Sequence, residues 1–521
     1  MTSADLDALA RGTLAVGFTG ATIDDAPLAA LRAFAPGAVL LFGRNVATPP
    51  ELQALVASLR GLGAPPPLIA IDQEGGRVAR IREGVAQLPS AMAIGAGADP
   101  QAAGAVGALL GRDLAALGIS VDLAPVADLA LAPASTTIGT RAFGDDPHHV
   151  ARFVTAFAGG LQRGGVAATL KHAPGHGATA LDSHATLPRV DTDLATLRAR
   201  ELVPFAAALQ AGAASLLLTA HVVVAALDPL QPASLSPAVV RWLREELAFE
   251  GVIATDDLEM DAIAAGVGTF EGAVAALAAG ADLLLISHHL ELAQAAAAAI
   301  VRAVEAGRVP LARLQEAYAR VLHLRDRYAV LRPLDAADVD VQAPLAAARR
   351  AVTALRGEPR LGEERAVTVI SFEGTLGDAA AGSGASGRGA EPPSLSAALR
   401  RRRWKSELMR VPLDPDADDL DLLLDHVRRL GEREFVLVTR RADLHAAQRH
   451  AVARILMLAP QALIVSAREP YDALLWPAAL RVVCCYGDDA LAFEGVADVL
   501  AGRAPAQGVL PVQIAQDPAV R

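Results

Sequence analysis

At 521 residues and a formal net charge of −11, the chain is long enough for two or more domains with real cores, and its acidity argues against a nucleic-acid surface. Its positive mean hydropathy comes from alanine and not from a membrane span: the most apolar long window, 205–227, is interrupted by Gln210, Ser215, Thr219 and His221, so it reads as a helix followed by a buried strand. The amino terminus lacks the basic and apolar regions of a secretory leader. The only cysteines, Cys484 and Cys485, adjoin one another in a strand-like run; a reducing, cytoplasmic setting is expected.

Short apolar runs recur along the first part of the chain, at 14–18, 38–42, 68–71, 121–123, 167–170, 215–219, 252–255 and 283–286, each followed by a helix-like segment. Such alternation predicts parallel strands with helical crossovers. Eight units within roughly 330 residues predict a (β/α)8 barrel with long insertions. A doubly wound dinucleotide fold would show a G-x-G-x-x-G fingerprint, and Gly75-Gly76 lacks that spacing. The helical stretch 311–331 closes the barrel, giving a first domain over 1–335 and a linker near 332–344. A second, smaller α/β sandwich domain over 345–521 is expected from strand candidates at 366–372, 435–439, 462–466 and 481–486. Within it, the Gly-, Ala- and Ser-rich stretch 374–393 reads as a mobile loop, since it has too little apolar surface to offset its ordering entropy.

In a barrel of this kind, residues just past the carboxyl ends of the strands converge on one mouth. Polar groups stand in that register. Arg44 and Asn45 follow the second run, Asp72-Gln73-Glu74 the third, Lys171-His172 the fifth, His221 the sixth and Asp256-Asp257 the seventh, while the fourth unit carries Asp128 and Arg141. Lysine is scarce: Lys171 and Lys405 are the only two in a chain otherwise written with arginine. A compact ammonium at 171 therefore marks a place where a guanidinium fork would not serve.

The stretch 171–184 packs that cation, three imidazoles and a carboxylate into fourteen residues. A metal site would use His172, His176 and His184 with Asp182, but Pro174-Gly175 breaks any helix that would align the first two. A phosphate cradle would need the G-x-x-x-x-G-K-[ST] order, which is absent. The third reading is an acid/base dyad. Asp182 and His184, two apart on an extended loop, face the same way, and the carboxylate orients the imidazole and favours its protonated form. Its partner would be a nucleophile on a rigid strand end, and Asp256, the first acid after the seventh run, fits. Asp257 suits the start of the following helix.

These motifs resemble glycoside hydrolase family 3, specifically the bacterial β-N-acetylglucosaminidases that recycle cell-wall fragments. The resemblance covers about three-fifths of the chain, from 14 to about 325. It rests on Gly43-Arg44-Asn45, Asp72-Gln73-Glu74-Gly75-Gly76-Arg77, Ala124-Pro125-Val126-Ala127-Asp128, Gly139-Thr140-Arg141, the 171–184 stretch, Ala220-His221 and Thr255-Asp256-Asp257-Leu258-Glu259-Met260. It implies that Asp256 is the nucleophile, that His184 held by Asp182 is the general acid/base, and that Asp72, Arg141, Lys171 and His172 grip the terminal sugar. It implies no metal and no organic cofactor, a small oligosaccharide or muropeptide as partner, and neither nucleic acid nor membrane. The chain departs from the family pattern at Ala173, where a bulkier residue is usual, and at Ala178, where an acid is usual. The second domain, including Gly508-Val509-Leu510-Pro511-Val512, resembles a degenerate sandwich domain of the same family and reads as a structural or docking unit. A phosphorylase or β-glucosidase on the same scaffold, or a non-catalytic sugar-binding barrel, are the alternatives.

Overall fold

The computed structural model describes residues 2–22, 25–179, 187–362, 366–374, 393–431 and 433–514. Eight strands form a closed barrel: β1 (Leu14–Val16), β2 (Ala38–Leu41), β3 (Leu68–Ile71), β4 (Val121–Asp122), β5 (Ala167–Ala173), β6 (Leu216–Thr219), β7 (Val252–Asp257) and β8 (Leu283–Ile286). They lie side by side in chain order, with β8 returning to β1, and every barrel pairing is parallel. The expected barrel is thus observed, run for run. Two strands extend further than expected. β5 continues through Lys171 and His172, and β7 through both aspartates, so these polar groups stand on the rigid strands themselves.

Alternation along each strand sorts the apolar residues. Ala15, Ala38, Leu40, Ala70, Leu123, Ala167, Leu218 and Ala254 point inward, and Val321 and Leu324 of helix Leu311–Arg327 join their cluster. Val321 lies against Gly37, just before β2, and so closes the amino-terminal end. The alternate set, including Val39, Leu41, Ile69, Leu217 and Ile253, packs under the surrounding helices. Two of these helices, Pro100–Leu117 and Pro147–Gly164, approach to backbone contact through glycine. A Cβ on Gly160 would lie 2.4 Å from the Gly104 carbonyl oxygen, and one on Gly164 would lie 2.6 Å from that of Ala108. Among the described residues, no helix is long and apolar enough to cross a membrane.

The second region is a six-stranded sheet of β9 (Thr353–Arg356), β10 (Val367–Glu373), β11 (Ser406–Pro412), β12 (Glu434–Arg440), β13 (Leu463–Ala467) and β14 (Arg481–Cys484), in the order β9-β14-β13-β12-β10-β11. Only β9 runs antiparallel to its neighbour. The four expected strands are its central members. β9 and β11, which the apolar runs did not signal, are its two edges, and β11 carries exposed Glu407 and Arg410 where a central strand would carry apolar residues. Of the expected mobile loop, all but Gly374 and Pro393 lies outside the described residues.

Helix Ala343–Ala351 packs on one side against helix Ala490–Leu500 and on the other against helices Ala91–Ala96 and Pro100–Leu117. One apolar cluster spans the junction, with Met92, Ile138 and Ala142 from the barrel side meeting Phe372, Leu437, Trp476 and Tyr486 from the sheet. The Ser90 hydroxyl donates to the Tyr486 carbonyl at 2.6 Å, and the amides of Val509 and Asp145 bond to the carbonyls of Ala96 and Pro511 across the same junction. Arg441, Arg468 and Tyr486, which follow β12, β13 and β14, all adopt left-handed backbone angles, with φ of 48°, 69° and 58°. Each costs about 1–2 kcal/mol in an L-residue. At the end of β14, Cys484 faces the cluster that meets the barrel and Cys485 the cluster beneath the opposite helices. Both thiols are buried, and burial pushes Cys485 up to about 12.

Candidate active site

Just beyond β3 the chain makes a small hairpin, Gln73–Gly75 against Val78–Ala79. The Gln73 amide closes it, donating to the Ile81 carbonyl and accepting from the Arg80 and Ile81 amides. Gly75 and Gly76, with φ of 99° and 54°, make the turn that other residues resist. Asp72 and Glu74, two apart in this extended segment, both meet Lys171. Its ammonium lies 2.7 Å from Asp72 Oδ1 and 2.6 Å from Glu74 Oε1. Arg141, in the long loop after β4, forks onto Glu74 with two bonds of 2.8 Å.

Burial alone would push these carboxyls up. Arg141 and Lys171 beside Glu74, and Lys171 and Arg80 beside Asp72, outweigh it and hold both groups below the usual carboxylate range. Reciprocally, burial opposes the charge on Lys171, and Asp72 and Glu74 more than restore it. All four groups are therefore charged together in one compact network. Asp72 keeps 18% of its side chain exposed and Lys171 keeps 3%, so the open edge of the network is the Asp72 carboxylate.

His172 is set by Asp128. One oxygen of that carboxylate lies 2.7 Å from His172 Nδ1 and accepts the His172 amide at 3.1 Å, while the other accepts the His176 amide at 2.7 Å. Nε2 of the same ring lies 3.4 Å from the Arg141 guanidinium. Asp122, wholly buried behind them, accepts the Gln73 amide at 2.9 Å and is pushed well above its usual range by burial.

The two aspartates of β7 differ sharply. Asp256 is partly exposed, and one of its carboxylate oxygens accepts the Asp257 amide at 2.9 Å. Asp257 is buried, hydrogen-bonded to the Ser287 hydroxyl beyond β8 and accepting the Glu259 amide. Burial, reinforced by the charges of Glu259 and Asp256, pushes it up to about 7. His221 ties β6 to this pair, with Nδ1 2.7 Å from the Ser234 hydroxyl and Nε2 donating to the Asp257 carbonyl at 2.9 Å. Asn45 is a stitch between strand ends: it accepts the Phe42 amide and donates to the carbonyls of Phe18 and Gly20.

Of the residues singled out from sequence, Asp72, Arg141, Lys171 and His172 thus meet in one network at the mouth, and Asp256 stands on the same rim at the end of β7. Asp182 and His184 lie outside the described residues. Glu74 and Asp128, which sequence reasoning left without a role, are the hubs that join the network. The signal for Glu74 was its parity with Asp72: in an extended segment, residues two apart share a face. Among the described residues, no group of three or more His, Cys, Asp or Glu is placed to hold a metal ion.

The family model for the glycosyl hydrolase family 3 N terminal domain matches residues 19–324. The chain belongs to glycoside hydrolase family 3. A β-hexosaminidase of Methylococcus capsulatus (strain ATCC 33009 / NCIMB 11132 / Bath) is 41% identical to this family 3 hydrolase over 275 residues, covering 52% of this chain and 80% of the relative. Among solved structures, a family 3 β-N-acetylglucosaminidase from Paenibacillus sp. str. FPU-7 superposes with a TM-score of 0.89 at 32% identity, over 98% of this chain and 99% of that one. A β-N-acetylhexosaminidase from Beutenbergia cavernae DSM 12333 matches 62% of this chain and 98% of its own, with a TM-score of 0.56 and 32% identity. The family 3 hydrolase described here therefore shares its whole two-part architecture with the first structure, and the second corresponds to about its barrel portion.

Proposed function

We propose that this family 3 hydrolase is a retaining exo-β-N-acetylglucosaminidase acting on small peptidoglycan or chitin fragments, with residues 1–335 as its catalytic unit. The observation that carries the reading is the charged network Asp72–Lys171–Glu74–Arg141–His172 set beside Asp256 at one end of the barrel. Carboxylates accept from sugar hydroxyls and cations donate to them, and such charge-assisted bonds are strong in a buried pocket. An ammonium has three donors; Asp72 and Glu74 engage two, and the third serves a hydroxyl. The names of the similar hexosaminidases support the 2-acetamido sugar.

In this reading Asp256 attacks the anomeric carbon while His184, oriented by Asp182, protonates the departing oxygen. The same imidazole then takes a proton from water, which releases the sugar from Asp256. Two displacements restore the original anomeric configuration. Buried free thiols at Cys484 and Cys485 favour a cytoplasmic setting.

A panel of nitrophenyl β-glycosides with and without the 2-acetamido group tests the substrate. Preferential cleavage of the N-acetylglucosaminide is expected, and preference for the plain glucoside overturns the assignment. Run in phosphate buffer, the same assay separates hydrolysis, which yields free sugar, from phosphorolysis, which yields the sugar 1-phosphate.

A further inference from the structure

The loop that carries Arg141 runs from the end of β4 to helix Pro147–Gly164, and much of its backbone is held by side chains from elsewhere. Arg77 donates through one terminal nitrogen to the carbonyls of Thr136, Thr137 and Ile138, at 2.6, 2.9 and 3.1 Å. From the second sheet, Arg441 donates to the Pro133 carbonyl at 2.7 Å. Also from that sheet, Glu469 accepts the Thr140 amide at 3.0 Å.

Glu469 follows β13 and is 2% exposed. A carboxylate buried to this degree persists only with compensating charge. Arginines from both parts of the molecule supply it: Arg441, 3.7 Å away, Arg468 and, from the barrel side, Arg77. The loop is shaped around the carboxylate. A Cβ on Gly139 would lie 2.0 Å from Glu469 Oε1, so a side chain at 139 and the carboxylate could not share the space. Two of the residues bearing this cluster, Arg441 and Arg468, are in left-handed conformations, and strain of that kind gathers where surrounding structure dictates side-chain aim.

We infer that Glu469 is a positioning residue of the sugar pocket. By holding the Thr140 amide it fixes the adjoining Arg141, whose guanidinium forks onto Glu74, so that the second domain completes a pocket built on the barrel. The inference rests on the reading of Arg141 as a sugar-binding residue.

The test uses the full chain and measures kcat and KM on 4-nitrophenyl and 2,4-dinitrophenyl N-acetyl-β-glucosaminides. Glu469→Ala should lower kcat/KM by about 10- to 100-fold, chiefly through KM and equally for both leaving groups, as displacement of a binding group does. Glu469→Gln keeps an acceptor for Thr140 and should return within about 5-fold of the parent value. In an Arg141→Ala background, Glu469→Ala should add nothing. Arg350→Ala, which removes a junction ion pair to Asp99 that does not involve this loop, should leave KM unchanged. If Glu469→Ala does not accumulate, Gly139→Ala crowds the same carboxylate from the barrel side and should raise KM alike. An unchanged KM in folded Glu469→Ala or Gly139→Ala, or additive losses in the double variant, overturns the inference. An Arg141→Ala enzyme with the parent KM overturns instead the pocket reading on which it rests.

Discussion

Asp256 and Asp257 are identical side chains on consecutive residues of one strand, and their surroundings give them different work. The first is partly exposed at the mouth, and the second is buried against Ser287 with its carboxyl pushed up to about 7. Asp256→Ala should lower turnover by roughly 10³-fold or more while the fold survives, and a 2-fluoro sugar inactivator should label Asp256; a label on Asp257 or Glu74 would contradict the assignment. Asp257 makes a separate prediction about stability. The unfolded chain releases this proton near pH 4 (the usual carboxyl value, about 3.9) and the native protein near 7. Between those values the native state holds the extra proton, so this group's contribution turns increasingly destabilising as pH rises through that window and is constant above it. Asp257→Asn should flatten that part of the pH–stability curve, as read by urea midpoints from pH 4 to 8. Lys171, wedged between two carboxylates at 3% exposure, should not tolerate Lys171→Arg. The planar guanidinium forfeits a charge-assisted bond, costing about 1.5–3 kcal/mol in kcat/KM. Exposed Lys405 is the control, and Lys405→Arg should be silent.

Strands that bury both faces announced themselves in the sequence, and the edge strands, which do not, stayed hidden. All eight barrel strands are marked by apolar runs because helices cover one face and the barrel interior the other. β9 and β11 escaped because an edge strand is less covered than a central one, as exposed Glu407 and Arg410 on opposite faces of β11 show. Lys171, His172 and the two aspartates of β7 looked like loop residues because they are polar; neighbouring charges, not apolar packing, are what let strands carry them. The site was legible to the same extent. Asp72, Lys171, Arg141 and His172 stood in the strand-end register with other polar residues and were singled out by the family resemblance, but the pairing of Arg141 with Glu74 depends on a loop that folds back over 67 residues, which spacing alone does not reveal. Two adjacent glycines give an element-scale test. Gly159 lies in helix Pro147–Gly164 with only ordinary contacts at 3.6 and 3.8 Å for an added methyl, whereas Gly160 would place one 2.4 Å from a neighbouring backbone carbonyl. Gly159→Ala should stabilise by about 0.5–1 kcal/mol through helix propensity. Gly160→Ala should destabilise by about 1–3 kcal/mol by forcing the helices apart. Opposite shifts in thermal midpoint would establish the close crossing.

At the scale of the whole molecule, the barrel and the sheet share one apolar cluster and a set of hydrogen bonds, two of which hold the loop that carries Arg141. Residues 1–335 expressed alone would expose Met92, Ile138 and Ala142 and lose the Glu469 acceptor. That fragment should unfold at lower temperature and bind substrate more weakly than the full chain, as differential scanning and KM measurements would register. The chain's two thiols offer a way to watch the junction directly. Cys484, the last residue of β14, and Cys485, just beyond it, face opposite sides of the sheet, and the barrel contains no cysteine at all. A thiol is alkylated as its thiolate, and burial withholds that form in both. The native enzyme should therefore resist iodoacetamide and mild peroxide, and any label it does acquire records an opening of the sheet. Alkylation rate thus becomes a clock for one half of the molecule, with the barrel half silent by composition.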